Sequence, residues 1–133
     1  MKRTGLIVYN PQFDAILLVH RLENEKDYWV VPSIQLNPNE APKTAAKRIC
    51  SEKLNLKLNR FEEAFTTEAE NYYFYTETDT IEAPAWHDGP KTKGNLYVPA
   101  FVRIHELTNI NLVGKEVKDR LCYFFSKLKK GND

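Results

Sequence analysis

The sequence predicts an α+β fold, an α/β/α sandwich in which a mixed β-sheet is flanked by two main helices. Short apolar segments separated by turn residues predict the strands, whereas helical periodicity at about residues 42–54 and 115–130 predicts the helices. The chain has 133 residues, of which 42% are hydrophobic and 28% are charged. We therefore expect one globular domain that spans residues 1–133.

The predicted strands are short runs rich in aliphatic and aromatic residues. They are residues 3–9, 15–20, 28–31, 60–67, 72–78 and 96–104. Pro99 predicts an edge position or a bulge for the last of these strands, because proline cannot donate to a hydrogen-bond ladder. The segment 82–94 contains two prolines and two glycines and is expected to be the most irregular part of the chain.

The first predicted helix has two faces that differ in chemistry. One face is an apolar stripe at every fourth residue: Ala46, Cys50 and Leu54. Regular helical spacing places three further residues together on a second face: Ile49, Glu52 and Lys53. The second predicted helix carries one apolar stripe, formed by Val117, Leu121, Phe124 and Leu128.

The segment from Trp29 to Leu56 runs from a strand through a turn into the first helix, and it carries the remains of a motif. Matching residues are Glu40, Arg48, Glu52 and Leu56, and departing residues are Ile34, Ile49, Lys53 and Asn55. Residues 34–56 resemble the Nudix box, whose pattern is Gly-x5-Glu-x7-Arg-Glu-bulky-x-Glu-Glu-x-Gly-bulky. The chain is therefore similar to the Nudix hydrolase superfamily, with a degenerate box.

The resemblance implies the Nudix fold and a pyrophosphohydrolase that uses Mg²⁺ or Mn²⁺. If the enzyme is active, Glu52 and Arg48 are the implied catalytic residues, and Glu52 with Glu82 are the implied metal ligands. Glu77 and Asp79 are alternatives to Glu82. The resemblance also implies a phosphate-facing glycine loop after Pro32, where this chain has serine and isoleucine instead. We expect that loop to be lost, because a β-branched residue tolerates positive φ poorly.

The departures from the motif argue against a strong metal site. Of three carboxylates that a complete box would place on the helix face, only Glu52 remains. Ile49 offers no ligand, and Lys53 brings a cation to the position where Mg²⁺, which prefers oxygen ligands, would be held. Asn55 is a fair substitute for the second glycine, because asparagine accepts the left-handed conformation at a helix end.

The leading hypothesis is that a degraded box binds a nucleotide or another phosphorylated small molecule with weak or no hydrolysis. Lys53 would then contact phosphate oxygens in place of the metal. Trp86, in the irregular segment, would stack on a base or else pin that segment to the core. Glu40 is a further candidate ligand-binding residue, and Arg48 is expected to hold the helix to its neighbouring loop through Glu40 or to pair with Glu52.

Two alternatives remain open from the residues alone. One is an active Mg²⁺-dependent enzyme that cleaves a nucleoside diphosphate linked to another group. The other is a protein-interaction module, in which Ile49 and the aromatic strand at 72–75 form an interface. A homodimer is possible in either case.

Composition narrows the range of partners and the compartment. A formal net charge of +1 excludes an overall basic field for nucleic acid or membranes, and no apolar run is long enough to span a bilayer. The two cysteines, Cys50 and Cys122, fall on apolar stripes, so we expect free thiols in the reducing cytoplasm.

Overall fold

The computed structural model describes residues 2–87, 89 and 95–131, and it describes side chains as far as residue 129. The strands are β1 (Arg3–Asn10), β2 (Ala15–Glu23), β3 (Lys26–Val30), β4 (Ser33–Gln35), β5 (Glu62–Thr66), β6 (Tyr72–Glu77) and β7 (Leu96–Arg103). The helices are α1 (Pro42–Arg48), which continues as a π-helical segment (Ile49–Lys53), a 3₁₀ turn (Ile104–Glu106) and α2 (Lys115–Gly131). The predicted strands are all present, whereas β4 was not predicted.

The strands form one mixed sheet in the order β3-β2-β1-β6-β5, with β4 paired to β1 and β7 paired to β2. β1 and β6 are parallel, and the other pairs are antiparallel. β1 and β2 pair only beside their connecting turn, where Tyr9 lies opposite Ile16 and Asn10 opposite Ala15. Beyond that point the two strands diverge, and β4 takes the place of β2 beside β1, where Thr4 pairs with Ile34 and Gly5 with Ser33. The sheet thus has two halves, and the gap between them lies between β2 and β4.

The core lies on both faces of this sheet. The continuous apolar run of β1 agrees with this, because successive side chains of a strand point to opposite faces. Leu6 and Val8 pack on one face against α1 and the π-helical segment, within a cluster that we call the α1-side core. Ile7 and Tyr9 pack on the other face against Leu121 and Phe125 of α2. A sheet covered by a helix on each face confirms the predicted α/β/α sandwich.

The predicted helix at 42–54 is present, but its second half is π-helical rather than α-helical. Leu54 N–H donates to Ile49 O at 3.0 Å, a bond that spans five residues instead of four. Pro42 begins the helix, as predicted. Asn55, just after it, has φ of 52°, which confirms the left-handed exit expected for asparagine.

The prediction that Ile49 shares an outer face with Glu52 and Lys53 is wrong. Ile49 is 0% exposed and belongs to the α1-side core with Cys50 and Leu54, whereas Glu52 is exposed and Lys53 is half-buried. The reason is that the buried stripe is wider than predicted. Ile49 follows the buried Ala45 by four residues and its N–H donates to Ala45 O, so both lie on the face against the sheet. Ile49 therefore forms no part of an exposed interface.

The remaining fold predictions concern β7, the cysteines and the absence of a membrane span. Among the described strands β7 pairs with β2 alone, with Pro99 opposite Val19, so the edge position is confirmed. Cys50 and Cys122 are both free. No helix in the described ranges is long and apolar enough to cross a membrane.

Burial of Ile49 predicts a large effect on stability when the side chain is shortened. We expect Ile49→Ala to lower the free energy of unfolding by about 2–5 kcal/mol, through lost contacts and a cavity. Ile49→Glu should cost more, because it places a carboxylate among apolar side chains. Urea denaturation followed by circular dichroism measures both. Lys47→Ala, on the exposed side of the same helix, is the control and should change stability by less than about 0.5 kcal/mol.

Candidate ligand-binding site

Arg48 and Glu40 join the box helix, which is α1 with the π-helical segment that continues it, to the turn and to β4 before it. Arg48 donates from Nε to Glu40 Oε2 at 3.0 Å and from Nη2 to Glu40 Oε1 at 2.9 Å. Arg48 Nη2 also donates to the backbone oxygen of Gln35 at 3.1 Å, and Glu40 Oε1 accepts from the Asn37 N–H at 3.0 Å. These hydrogen bonds hold the pKa of the Glu40 carboxyl below its ordinary value. The bonds from Arg48 have the largest effect, and the bond from the Asn37 N–H has the next largest.

The outer part of the box helix carries little acid. Glu52 is exposed, and its carboxylate lies 4.0 Å from Arg48 Nε. Glu82 is also exposed, on the segment after β6, where its N–H donates to Thr80 Oγ1 at 3.1 Å. The described part of the chain contains no group of three or more His, Cys, Asp or Glu side chains that could hold a metal ion.

The segment that carries Trp86 is docked on the end of the box helix. His87 N–H donates to Lys53 O at 2.8 Å, so the π-helical segment and the loop are joined through their backbones. Trp86 is half-buried and packs against the α1-side core. The predicted irregular segment at 82–94 is only partly covered by the described residues, and Asp88 and 90–94 lie outside them.

A pocket of about 80 Å³ lies beside the gap between the two halves of the sheet, and we call it the inner pocket. Its lining residues come from β1, β2, β3, β4, β7 and the two connecting segments: Arg3, Val19, Arg21, Val30, Pro32, Ser33, Trp86 and Tyr97. A larger cavity of about 690 Å³, the outer cavity, shares Arg21 and Val30 with it. Trp86 therefore lies both against the core and at this pocket.

Arg21 stands between two tyrosine rings on the sheet face that carries the inner pocket. In the strand register it lies opposite Tyr28 on β3 and opposite Tyr97 on β7. Its Cζ is 5.4 Å from the centre of the Tyr28 ring and 4.2 Å from that of Tyr97, both within cation–π range. Its Nη2 donates to Tyr97 Oη, and to Glu23 Oε2 at 3.3 Å.

Arg3 reaches the same pocket from β1. Its Nη2 donates to Ser33 Oγ and to Ser33 O, both at 3.1 Å, and its Nε lies 3.3 Å from Ser33 Oγ. Ser33 begins β4, the strand that stands where the glycine loop of the box was expected. Ile34, the next residue, is buried in that strand.

Sequence reasoning missed Arg3, Arg21 and Tyr97, although one signal was available for Arg21. In β2, Leu17, Val19 and Arg21 alternate along one face, so a charged residue continues an otherwise apolar row. An arginine in that position needs partners across the strands. The position of Arg3 beside it depends on the pairing of β1 with β4, which no local pattern reveals.

Comparison with solved structures finds the same architecture in several proteins of low sequence identity. A hydrolase of the NUDIX family from Clostridium perfringens has a TM-score of 0.69 and 13% identity, covering 96% of this chain and 97% of that one. The NUDIX domain of NrtR from Shewanella oneidensis, complexed with ADP ribose, has a TM-score of 0.65 and 11% identity, covering 96% and 86%. A MutT protein from Methanosarcina mazei has a TM-score of 0.60 and 15% identity, covering 97% and 95%.

The chain has the Nudix fold. No protein-family model matches the sequence, and no curated protein sequence matches it. At these identities the structural likeness establishes the fold, so the function of the chain has to be argued from its own residues.

Within the Nudix fold, two other groups that could take part in chemistry have structural roles. The Cys50 thiol is buried and donates to Leu56 O at 3.3 Å, and its burial raises its pKa, which disfavours a reactive thiolate. His20 stacks on Trp29 with ring centres 4.4 Å apart and bonds to Asp27. Trp29 packs against the core cluster that contains Leu121 and Phe125 of α2, on the face of the sheet opposite the inner pocket.

The bonds between Arg48 and Glu40 predict a pH-dependent contribution to stability. The pKa of Glu40 is lowered by folding, so its ionised form stabilises the protein above the ordinary value of 4.5, and this stabilisation is lost as pH falls through the lowered pKa. We expect Glu40→Gln to cost about 1–3 kcal/mol at pH 7 and much less at pH 3. Urea denaturation at both pH values measures this difference. Glu52→Gln, at an exposed carboxylate, should behave like the wild type; an equal loss at both positions would contradict the assignment.

Proposed function

We propose that this Nudix-fold chain binds a nucleotide or another phosphorylated small molecule with little or no hydrolysis. The observation that carries the proposal is the burial of Ile49, together with the half-buried position of Lys53. A residue enclosed in the core cannot be replaced by a metal ligand without disturbing the fold. The outer face of the box helix is thereby left with Glu52 as its acid beside two cations, Arg48 and Lys53.

The donor set of the box does not fit a resident Mg²⁺ or Mn²⁺ ion. Such ions take several oxygen ligands in octahedral geometry. Here one exposed carboxylate, Glu52, lies 4.0 Å from a guanidinium that is itself bonded to Glu40. Both oxygens of Glu40 accept hydrogen bonds from Arg48, which gives Glu40 a positioning role in the helix. No step of the proposed function therefore passes through a metal.

Lys53 and Trp86 are the box-side residues that we propose contact the ligand. The backbone bond between Lys53 O and His87 N–H keeps the two residues close to one another. An ammonium attracts phosphate oxygens as a point charge without activating a water for attack. An indole ring at the pocket offers a face on which a base can stack. The neighbour from Shewanella oneidensis, which is complexed with ADP ribose, supports the nucleotide class.

The second candidate is an active Mg²⁺-dependent pyrophosphohydrolase, because Glu52 and Arg48 keep their positions on the helix and Glu82 is exposed. The third, an interaction module built on Ile49, has lost the exposed residue that motivated it. A homodimer and a cytoplasmic location remain part of the proposal; free thiols at Cys50 and Cys122 are consistent with a reducing compartment.

A titration of nucleotides with and without Mg²⁺ tests the proposed function. We expect saturable binding in the presence of EDTA, with no release of phosphate when Mg²⁺ or Mn²⁺ is added. Lys53→Glu should weaken binding by tenfold or more, because an attraction becomes a repulsion. Lys47→Glu makes the same charge change at an exposed position of α1 and should alter affinity little.

Metal-dependent phosphate release by the wild type that disappears in Glu52→Gln would establish the enzyme instead. The variant Ile49→Glu is unsuitable as a test of restored activity, because it disturbs the core. Lys53→Glu is the suitable variant for that test, because it adds a second carboxylate beside Glu52 and leaves Ile49 in place.

Trp86 can be tested by fluorescence, because the chain has two tryptophans and they lie on different faces of the sheet. We expect nucleotide binding to quench Trp86 and Trp86→Ala to weaken binding by about 1–3 kcal/mol, the usual contribution of one stacked base. Trp29→Phe is the matched control and should keep both the quenching and the affinity. Quenching that survives in Trp86→Ala would show that the base does not stack there.

A further inference from the structure

We propose that the inner pocket is an anion site in which Arg3 and Arg21 hold a terminal phosphate monoester of the ligand without a metal. This inference rests on the proposed function and deepens it, because it names the group that is recognised and the side chains that recognise it. It also moves the centre of phosphate binding from the box helix to the sheet.

Charge distinguishes the inner pocket from the larger cavity beside it. Arg3 and Arg21 line the inner pocket, and its lining contains no Asp or Glu. The outer cavity is lined by Arg21 and Lys26 but also by Glu23 and Asp27, so its charges balance. A phosphate monoester carries a charge of about −1.5 to −2 at pH 7, so Arg3 and Arg21 both attract it, with Arg21 also ion-paired to Glu23.

Both guanidinium groups are held in place before any ligand arrives. Arg3 is fixed by its bonds to Ser33 Oγ and Ser33 O, and Arg21 by Glu23 and two tyrosine rings. Side chains that are already ordered lose less conformational freedom on binding, which favours affinity. The planar guanidinium group also presents paired N–H donors that match the oxygens of a phosphate.

Arg21 has a hydrogen-bond donor that the described protein atoms do not satisfy. Its Nε is buried and has no hydrogen-bond partner among them. Buried polar groups are nearly always paired, so this unpaired donor is a cost in the free protein, which a shift of the Arg21 side chain toward a bound phosphate oxygen would relieve.

The size of the inner pocket selects the terminal phosphate rather than the whole ligand. At about 80 Å³ it is much smaller than the neighbouring outer cavity of about 690 Å³. We therefore place the compact phosphate group in the inner pocket and the nucleoside at its Trp86 side. In ADP-ribose each phosphate is bonded to a ribose on one side and to the other phosphate on the other side. Neither phosphate is terminal, so neither can enter the pocket.

Isothermal titration calorimetry in EDTA tests the inference with defined probes. These are the four ribonucleoside 5′-monophosphates, the matching nucleosides and ADP-ribose. We expect at least one monophosphate to bind at least tenfold more tightly than its nucleoside and than ADP-ribose. Arg21→Met and Arg3→Met should each weaken that binding by about 10- to 100-fold, because each removes charge-assisted hydrogen bonds.

The control is Arg103→Met. It removes the same charge at the far end of β7 from Tyr97, so affinity should change less than about twofold. Thermal denaturation identifies variants that remain folded, and Arg21→Lys replaces Arg21→Met if the latter does not fold. In Arg21→Lys the charge remains but the paired donors are lost, so affinity should still fall.

The possible outcomes separate this inference from the proposed function. If nucleosides or ADP-ribose bind as tightly as the monophosphates, or if folded arginine variants bind like the wild type, the anion site is wrong. The proposed function then still stands, since phosphorylated compounds bind by other contacts. If no phosphorylated compound binds at all, both the site and the proposed function are wrong.

Discussion

The enclosure of Ile49 between the box helix and the sheet is the constraint from which the arrangement of the site follows. In a regular helix, Lys53 would lie about two turns after the buried Ala46 and on the same face, directed toward the core. A cation cannot be enclosed there without a large cost. The π-helical segment resolves this conflict, because its longer period keeps Ile49 and Leu54 inside and leaves Lys53 half-buried. The same segment presents Lys53 O to the His87 N–H, which holds Trp86 at the pocket.

The divergence of β1 from β2 gives this fold its place for a ligand. A continuous ladder would have closed the gap, whereas the pairing of β1 with β2 stops after Tyr9 and Ile16 and leaves it open between β2 and β4. The side chains at the gap come from both halves of the sheet, so the pocket depends on how the halves are set against each other. Within one half the packing is close, because a Cβ at Gly5 on β1 would clash with the Tyr73 ring on β6.

Much of the fold could be predicted from local pattern, and much of the site could not. Short continuous apolar runs located β1 and β2, and the pairing of Arg48 with Glu40 followed from their places in the motif. β4 was missed because Ser33–Gln35 is too short to show a period. The face of Ile49 was assigned wrongly because the predicted apolar stripe held only Ala46, Cys50 and Leu54, whereas Ala45 and Ile49, four residues apart, widen it. Arg3 and Arg21 meet through long-range strand pairing, which is fixed by tertiary packing and not by spacing along the chain.

Pro99 has a consequence for how copies of this protein can meet. β7 is the outer strand beside β2, and an incoming strand from another molecule would ordinarily extend the sheet there. Proline offers no amide hydrogen, so it interrupts such a ladder in the middle of the strand. Sheet extension along β7 is thereby disfavoured, which protects the folded chain from stacking edge to edge into aggregates.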